Sequence, residues 1–96
     1  MLFGQLVRAE QSADWAFWRA CELGSGAGCA AYAERVKSPA EAAQFAEKAC
    51  VLGSAEGCRS FGEALRSGSG VKKNTARAKT TLKKACALGD QTACSG

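Results

Sequence analysis

Through the middle and C-terminal parts of the chain, apolar side chains recur three or four positions apart. Ala42, Phe45, Ala46, Ala49 and Leu52 form one such series, and Ala78, Leu82, Ala85 and Leu88 form another, with polar residues between them. This is the spacing of helices that bury one face. The punctuation agrees with it. Ser38-Pro39-Ala40-Glu41 offers an N-cap, a proline at the first helical position and a glutamate placed for a capping box. Asn74 can cap a later helix. Gly24, Gly53 and Gly89 stand where a left-handed helix C-terminus needs a residue without Cβ, and Ser25, Ser54 and Asp90 follow as caps for the next helix. The pattern predicts helices near 2–9, 12–23, 26–37, 39–52, 55–67 and 75–88, with one more beginning in 90–96. Alanine is abundant, β-branched residues are sparse and Pro39 is the single proline, so the fold class is all-α.

The helices recur as units. Arg19-Ala20-Cys21-Glu22-Leu23-Gly24, Lys48-Ala49-Cys50-Val51-Leu52-Gly53 and Lys84-Ala85-Cys86-Ala87-Leu88-Gly89 align without gaps, and each is followed by a small residue and a second cysteine. A further block, Phe3-Gly4-Gln5-Leu6-Val7-Arg8, matches Tyr32-Ala33-Glu34-Arg35-Val36-Lys37 and Phe61-Gly62-Glu63-Ala64-Leu65-Arg66. The repeat lengths are 29, 29 and 36, the third unit carrying a seven-residue insertion in Ser67-Gly68-Ser69-Gly70-Val71-Lys72-Lys73, a loop by composition. Self-similarity at this period is the mark of a solenoid. Residues 1–96 are expected to form a single domain of about three helix pairs, 1–24, 25–53 and 54–89, with a partial helix over 90–96.

The paired cysteines bracket each tight helix–Leu-Gly–helix turn, eight positions apart. Six cysteines permit 15 pairings. Repeat symmetry selects Cys21–Cys29, Cys50–Cys58 and Cys86–Cys94, each closing a loop worth about 2–3 kcal/mol in the chain-entropy model. Six small buried thiols are the alternative. Zinc is the weaker reading, because its ligand pairs lie closer together and this chain has no histidine. Redox catalysis would need a Cys-x-x-Cys motif, which is absent. Disulfides imply the periplasm or the cell exterior. Residues 1–8 lack the basic leader and long apolar run of a secretory signal, so an exported form would carry its signal outside this chain. No apolar run approaches the 18 or so residues of a membrane span.

Net charge is +4, unevenly placed: residues 1–58 hold five basic and seven acidic side chains, residues 59–96 eight basic and two acidic. The set Lys72, Lys73, Arg77, Lys79, Lys83 and Lys84 reads first as a solvated helix face, and second as a patch for an acidic partner or anionic surface. No nucleic-acid-binding motif accompanies it, which places nucleic acid behind protein as a partner.

The residues of the third unit, Gly57-Cys58-Arg59-Ser60-Phe61-Gly62, then Ser69-Gly70-Val71-Lys72-Lys73-Asn74, then Ala78 and Lys84-Ala85-Cys86-Ala87-Leu88-Gly89, resemble one whole SEL-one-like repeat. The cysteine arrangement resembles the cysteine-rich bacterial branch, the Helicobacter cysteine-rich protein type, over essentially the whole chain. The resemblance implies an αα-superhelix, a right-handed solenoid of antiparallel helix pairs with one disulfide per repeat. It also implies export from the bacterial cytoplasm and use as a protein-interaction scaffold. Two departures stand out: the first two units lack the Gly-rich loop, and Ala33 replaces the small glycine of the first helix.

Because members of that branch have been described as penicillin-binding or weak β-lactamases, an enzyme is weighed as well. One Ser-x-x-Lys match exists, Ser69-Gly70-Val71-Lys72, but it falls in the Gly-rich loop instead of opening a helix, and neither Ser-Asp-Asn nor Lys-Thr-Gly appears. With no histidine, the usual general base near neutral pH is missing too. No catalytic residue, cofactor or metal is expected.

Two tryptophans break the repeat. Trp15 stands where other units have Gln44 and Thr80, and Trp18 where they have Glu47 and Lys83. Such aromatics either form a hot spot for a partner or pack against the first helix or a neighbouring repeat. Tyr32, Arg35, Arg59, Glu63 and Arg66 fall on the first helices of their pairs, which line the concave face of a solenoid. The ends show no polar capping unit, so copies could stack end to end. The expectation is a non-enzymatic, exported scaffold gripping a protein or peptide. β-lactam binding through Ser69 and Lys72 is one alternative, and a structural segment of a longer repeat protein is another.

Overall fold

The computed structural model describes residues 14–94, and every described element is a helix: α1 over 14–22, α2 Gly26–Ala33, α3 Pro39–Val51, α4 Ala55–Ser67, α5 Thr75–Ala87 and α6 Gln91–Cys94. The helix expected over 2–9 lies outside the described residues. Each helix packs on its neighbour in sequence, α2 on α3, α3 on α4, α4 on α5 and α5 on α6, with a further contact between α2 and α4. Short connections between packed helices make them antiparallel neighbours. Helices α2/α3 and α4/α5 are successive repeats, an A helix followed by a B helix.

The turns from B to the next A share one construction. Gly24, Gly53 and Gly89 take φ of +96°, +94° and +111°, values that L side chains avoid. The residue after each glycine donates its backbone N–H across the turn: Ser25 to the Ala20 carbonyl at 2.9 Å, Ser54 to Ala49 at 2.9 Å, Asp90 to Ala85 at 3.0 Å. That 6→1 bond satisfies orphan carbonyls of the ending helix. The same residue then caps the next helix. Ser25 Oγ accepts from Gly28 N–H at 2.9 Å, Ser54 Oγ from Gly57 N–H at 3.0 Å, and Asp90 Oδ1 from Thr92 N–H at 3.0 Å.

Across these turns run the disulfides Cys21–Cys29, Cys50–Cys58 and Cys86–Cys94, with Cα separations of 4.4, 4.3 and 4.7 Å. Each ties a B helix to the A helix of the next unit. So short a separation requires the helices to approach closely, and the small residue before the second cysteine permits it. A Cβ at Gly28 would meet that of Ala20 at 2.6 Å, and one at Gly57 would collide with Ala49.

The core is small and is built largely from alanine and cysteine. Cys21, Cys29, Ala30 and Ala49 form one cluster, and Cys50, Cys58, Ala85 and Ala93 another. Between them Phe61 and Leu65 of α4 pack on Ala33, Ala46 and Ala78, with Phe45 alongside. The disulfide sulfurs therefore do the work of large core side chains. Among the described residues Thr81 is the buried polar one, and its hydroxyl donates to the Arg77 carbonyl at 2.8 Å.

Two expectations need correcting. Helix α2 stops at Ala33, not 37, because the chain needs 34–38 to turn back and Ser38, ahead of a proline, must be extended (ψ 121°). The seven-residue insertion of the third unit is accordingly shared between helix and loop. Helix α4 has 13 residues where α2 has 8, and the loop 68–74 has seven residues where 34–38 has five. Second, Leu52 and Leu88, expected as the last residues of their helices, sit just past them as C-caps and are 42% and 43% exposed.

Candidate interaction surfaces

Helix α1 carries Trp15, 61% exposed, and Trp18, 36% exposed, one turn apart. With Asp14 and Tyr32 of α2 they line an open depression of about 410 Å³. Tyr32 is held from behind by Phe45 of α3 in an edge-to-face contact with ring centres 4.7 Å apart. Arg35 does not lie on a helix as the sequence suggested. It falls in the turn after α2, where it donates to Asp14 Oδ1 at 2.9 Å and lies 5.1 Å from the ring centre of Phe17. Nothing in the spacing of the sequence signals the Asp14 partner, 21 positions away.

Arg59 and Glu63, one turn apart on α4, are half-buried. Arg59 Nε donates to Asp90 Oδ2 at 2.7 Å, and its Nη1 lies 3.8 Å from Glu63 Oε1. The hydrogen bond to Asp90, then the nearby carboxylates, hold the Arg59 pKa above its ordinary value against the opposing effect of burial. For Asp90, partial desolvation pushes the pKa up. The bond from Arg59 and the N–H groups of Ala93 and Thr92 outweigh it, and the carboxyl stays below the usual range. This cluster locks the last described turn onto α4 and leaves Arg59 little freedom to meet a partner.

The basic set divides. Arg77 donates to Glu47 Oε2 at 2.9 Å and stacks over Phe61, its guanidinium 5.0 Å from the ring centre, so it serves the packing of α5 on the preceding unit. Lys72 and Lys73 lie in the loop 68–74, and Lys79, Lys83 and Lys84 along α5, all exposed. Arg66, exposed at the end of α4, faces the same side as Lys79 and Lys83: the three border an open groove of about 530 Å³ that also touches Thr75, Leu82 and Cys94.

Ser69 and Lys72 are both exposed in the non-helical loop, and among the described residues no hydrogen bond joins their side chains. Among the described residues there is no group of three or more metal-ligating side chains, and no helix is long and apolar enough to cross a membrane.

Successive helix pairs tied by one disulfide per turn define the class, a disulfide-stapled α-helical repeat protein. The structure of Helicobacter pylori cysteine rich protein B matches it with a TM-score of 0.86 and 36% sequence identity, over 90% of this chain and 70% of that one. The chain belongs to this cysteine-rich family of SEL-one-like repeat proteins. Comparisons with protein-family models and with curated proteins gave no match.

Proposed function

We propose that this chain is a non-enzymatic scaffold, exported to an oxidising compartment, that binds a protein or peptide. The observation that carries the reading is the pair of exposed tryptophans, Trp15 and Trp18, beside Tyr32 on a helix stapled to its neighbour by Cys21–Cys29. Large rigid aromatics on a preorganised surface contribute contact area at little entropic cost. The three disulfides support the exported setting, since reducing compartments do not sustain such bonds.

Selection from a displayed peptide library on the oxidised protein tests this. Peptides that saturate the wild type are expected to bind Trp15→Ala and Trp18→Ala variants at least about tenfold more weakly, the cost of losing an aromatic hot spot, with unchanged helical content. Selection of no peptide, or covalent labelling by a fluorescent penicillin that is lost in Ser69→Ala, overturns the reading.

A further inference from the structure

The contact that Arg77 makes recurs one unit earlier with its cation missing. Where α3, α4 and α5 meet, the Arg77 guanidinium of α5 lies 5.0 Å from the ring centre of Phe61 on α4 and donates to Glu47 Oε2 of α3 at 2.9 Å. The repeat register carries these three positions back to Glu41 of α3, Tyr32 of α2 and Trp18 of α1. The ring is kept, a second ring stands in place of the carboxylate, and an acid stands in place of the arginine. Phe61, with its arginine over it, is 3% exposed, whereas Tyr32 is half-buried.

The chemistry around Tyr32 suits a cation. Asp14, exposed, lines the depression with Trp15, Trp18 and Tyr32, and Glu41 is exposed in the first turn of α3. Among the described residues Glu41 has no ion pair. Asp14 gives one oxygen to Arg35, whose guanidinium lies over Phe17, so that arginine is already engaged. Arg19 lies in the last turn of α1, where a cation suits the helix dipole. Over residues 1–58 acids outnumber bases seven to five. Aromatic faces add negative potential of their own. The exposure of Trp15 follows from its place in the repeat: Gln44, its counterpart in a unit flanked on both sides by described helices, is exposed too.

We propose that the Trp15–Trp18–Tyr32 depression takes an arginine side chain presented by the partner protein. Its guanidinium stacks on Tyr32 and Trp18 as Arg77 stacks on Phe61, with Glu41 and Asp14 as counter-charges. A guanidinium is planar and weakly hydrated, so it lies flat on a ring at an open surface where a lysine ammonium stays in water. This inference rests on the scaffold reading and adds the chemistry of the group received.

Peptides selected from a fully randomised displayed library on the full oxidised chain are expected to share an arginine. The tightest is resynthesised with fluorescein and titrated by fluorescence anisotropy, beside a copy with citrulline for arginine, which keeps the shape and removes the charge. The citrulline copy should bind at least about tenfold more weakly. Glu41→Arg gives α3 the residue that α5 has at Arg77. It should fill the site from within and weaken the arginine peptide by a similar factor, with unchanged helical content. If that variant fails to fold, the citrulline comparison on the wild type decides. Equal binding by the arginine and citrulline peptides, or by the wild type and folded Glu41→Arg, overturns the inference. Selected peptides that lack arginine overturn it too and leave the scaffold reading standing, whereas selection of no peptide overturns both.

Discussion

Gly62 of α4 lies so close to Leu82 of α5 that a Cβ added to it would come within 2.7 Å of the leucine Cγ and Cδ2. In the preceding unit the same two positions hold Ala33 and Ala46, which share one core cluster. The pairs exchange volume between facing helices: glycine against leucine in one unit, alanine against alanine in the other. The departure at Ala33 is thus compensated across the helix contact. Gly62→Ala is expected to destabilise the oxidised protein by about 1–3 kcal/mol through overpacking. Leu82→Ala alone should also destabilise it. The double variant, which copies the Ala33/Ala46 pair, should cost less than the sum of the two, with a coupling of about 1 kcal/mol. Urea melts of the four proteins measure it, and strict additivity would refute the compensation.

The three staples differ in their protection. Cys21, Cys29 and Cys58 are 0% exposed and Cys50 is 7%, whereas Cys86 is half-buried and Cys94 exposed. Thiolate attack needs access to a sulfur. Under limiting reductant, Cys86 and Cys94 should be the first cysteines alkylated, well before the other four. Mass mapping of partly reduced protein gives the order, and uniform loss of all three bonds would contradict it.

The Arg59–Asp90 pair makes the last turn acid-sensitive. Asp90 titrates below the ordinary aspartate range in the folded chain, so the unfolded chain takes up that proton at a higher pH. The pair stabilises the fold above the ordinary aspartate pKa, and its contribution is lost as the pH falls below about 4 towards the folded value. Arg59, its pKa raised, stays charged throughout. Asn at position 90 keeps a capping oxygen without the charge. Asp90→Asn should therefore show a weaker loss of protection at the Thr92 and Ala93 amides between about pH 5 and pH 2, measured by hydrogen exchange. An identical pH profile in both proteins would remove the pair from the account.

Much of this architecture was legible in the sequence because its signals are local. Each turn is written out as Leu-Gly followed by Ser or Asp, and the glycine, the cap and the two cysteines all act within nine residues of one another. The end of α2 was not legible. Glu34-Arg35-Val36-Lys37 is compatible with a helix, and what stops it is the need to reverse direction before Pro39 without the extra residues that the third unit has. The candidate surfaces were legible only as residue types. Trp15 and Trp18 stood out as breaks in the repeat. That Arg77 is consumed by Glu47 and Phe61, while Lys79 and Lys83 have no ion pair among the described residues, depends on contacts between helices distant in sequence. The one available hint was Lys83 in register with Glu47, an inversion of charge within the repeat.

The central claim is that three disulfides, each joining a B helix to the next A helix, hold these surfaces in one fixed array. Intact mass after thiol alkylation without reductant, followed by mapping of linked peptides, tests it most directly. The account predicts six cysteines that resist alkylation and linked peptides joining Cys21 to Cys29, Cys50 to Cys58 and Cys86 to Cys94. Freely alkylated cysteines in the natively folded protein, or linkages that cross between turns, would contradict it.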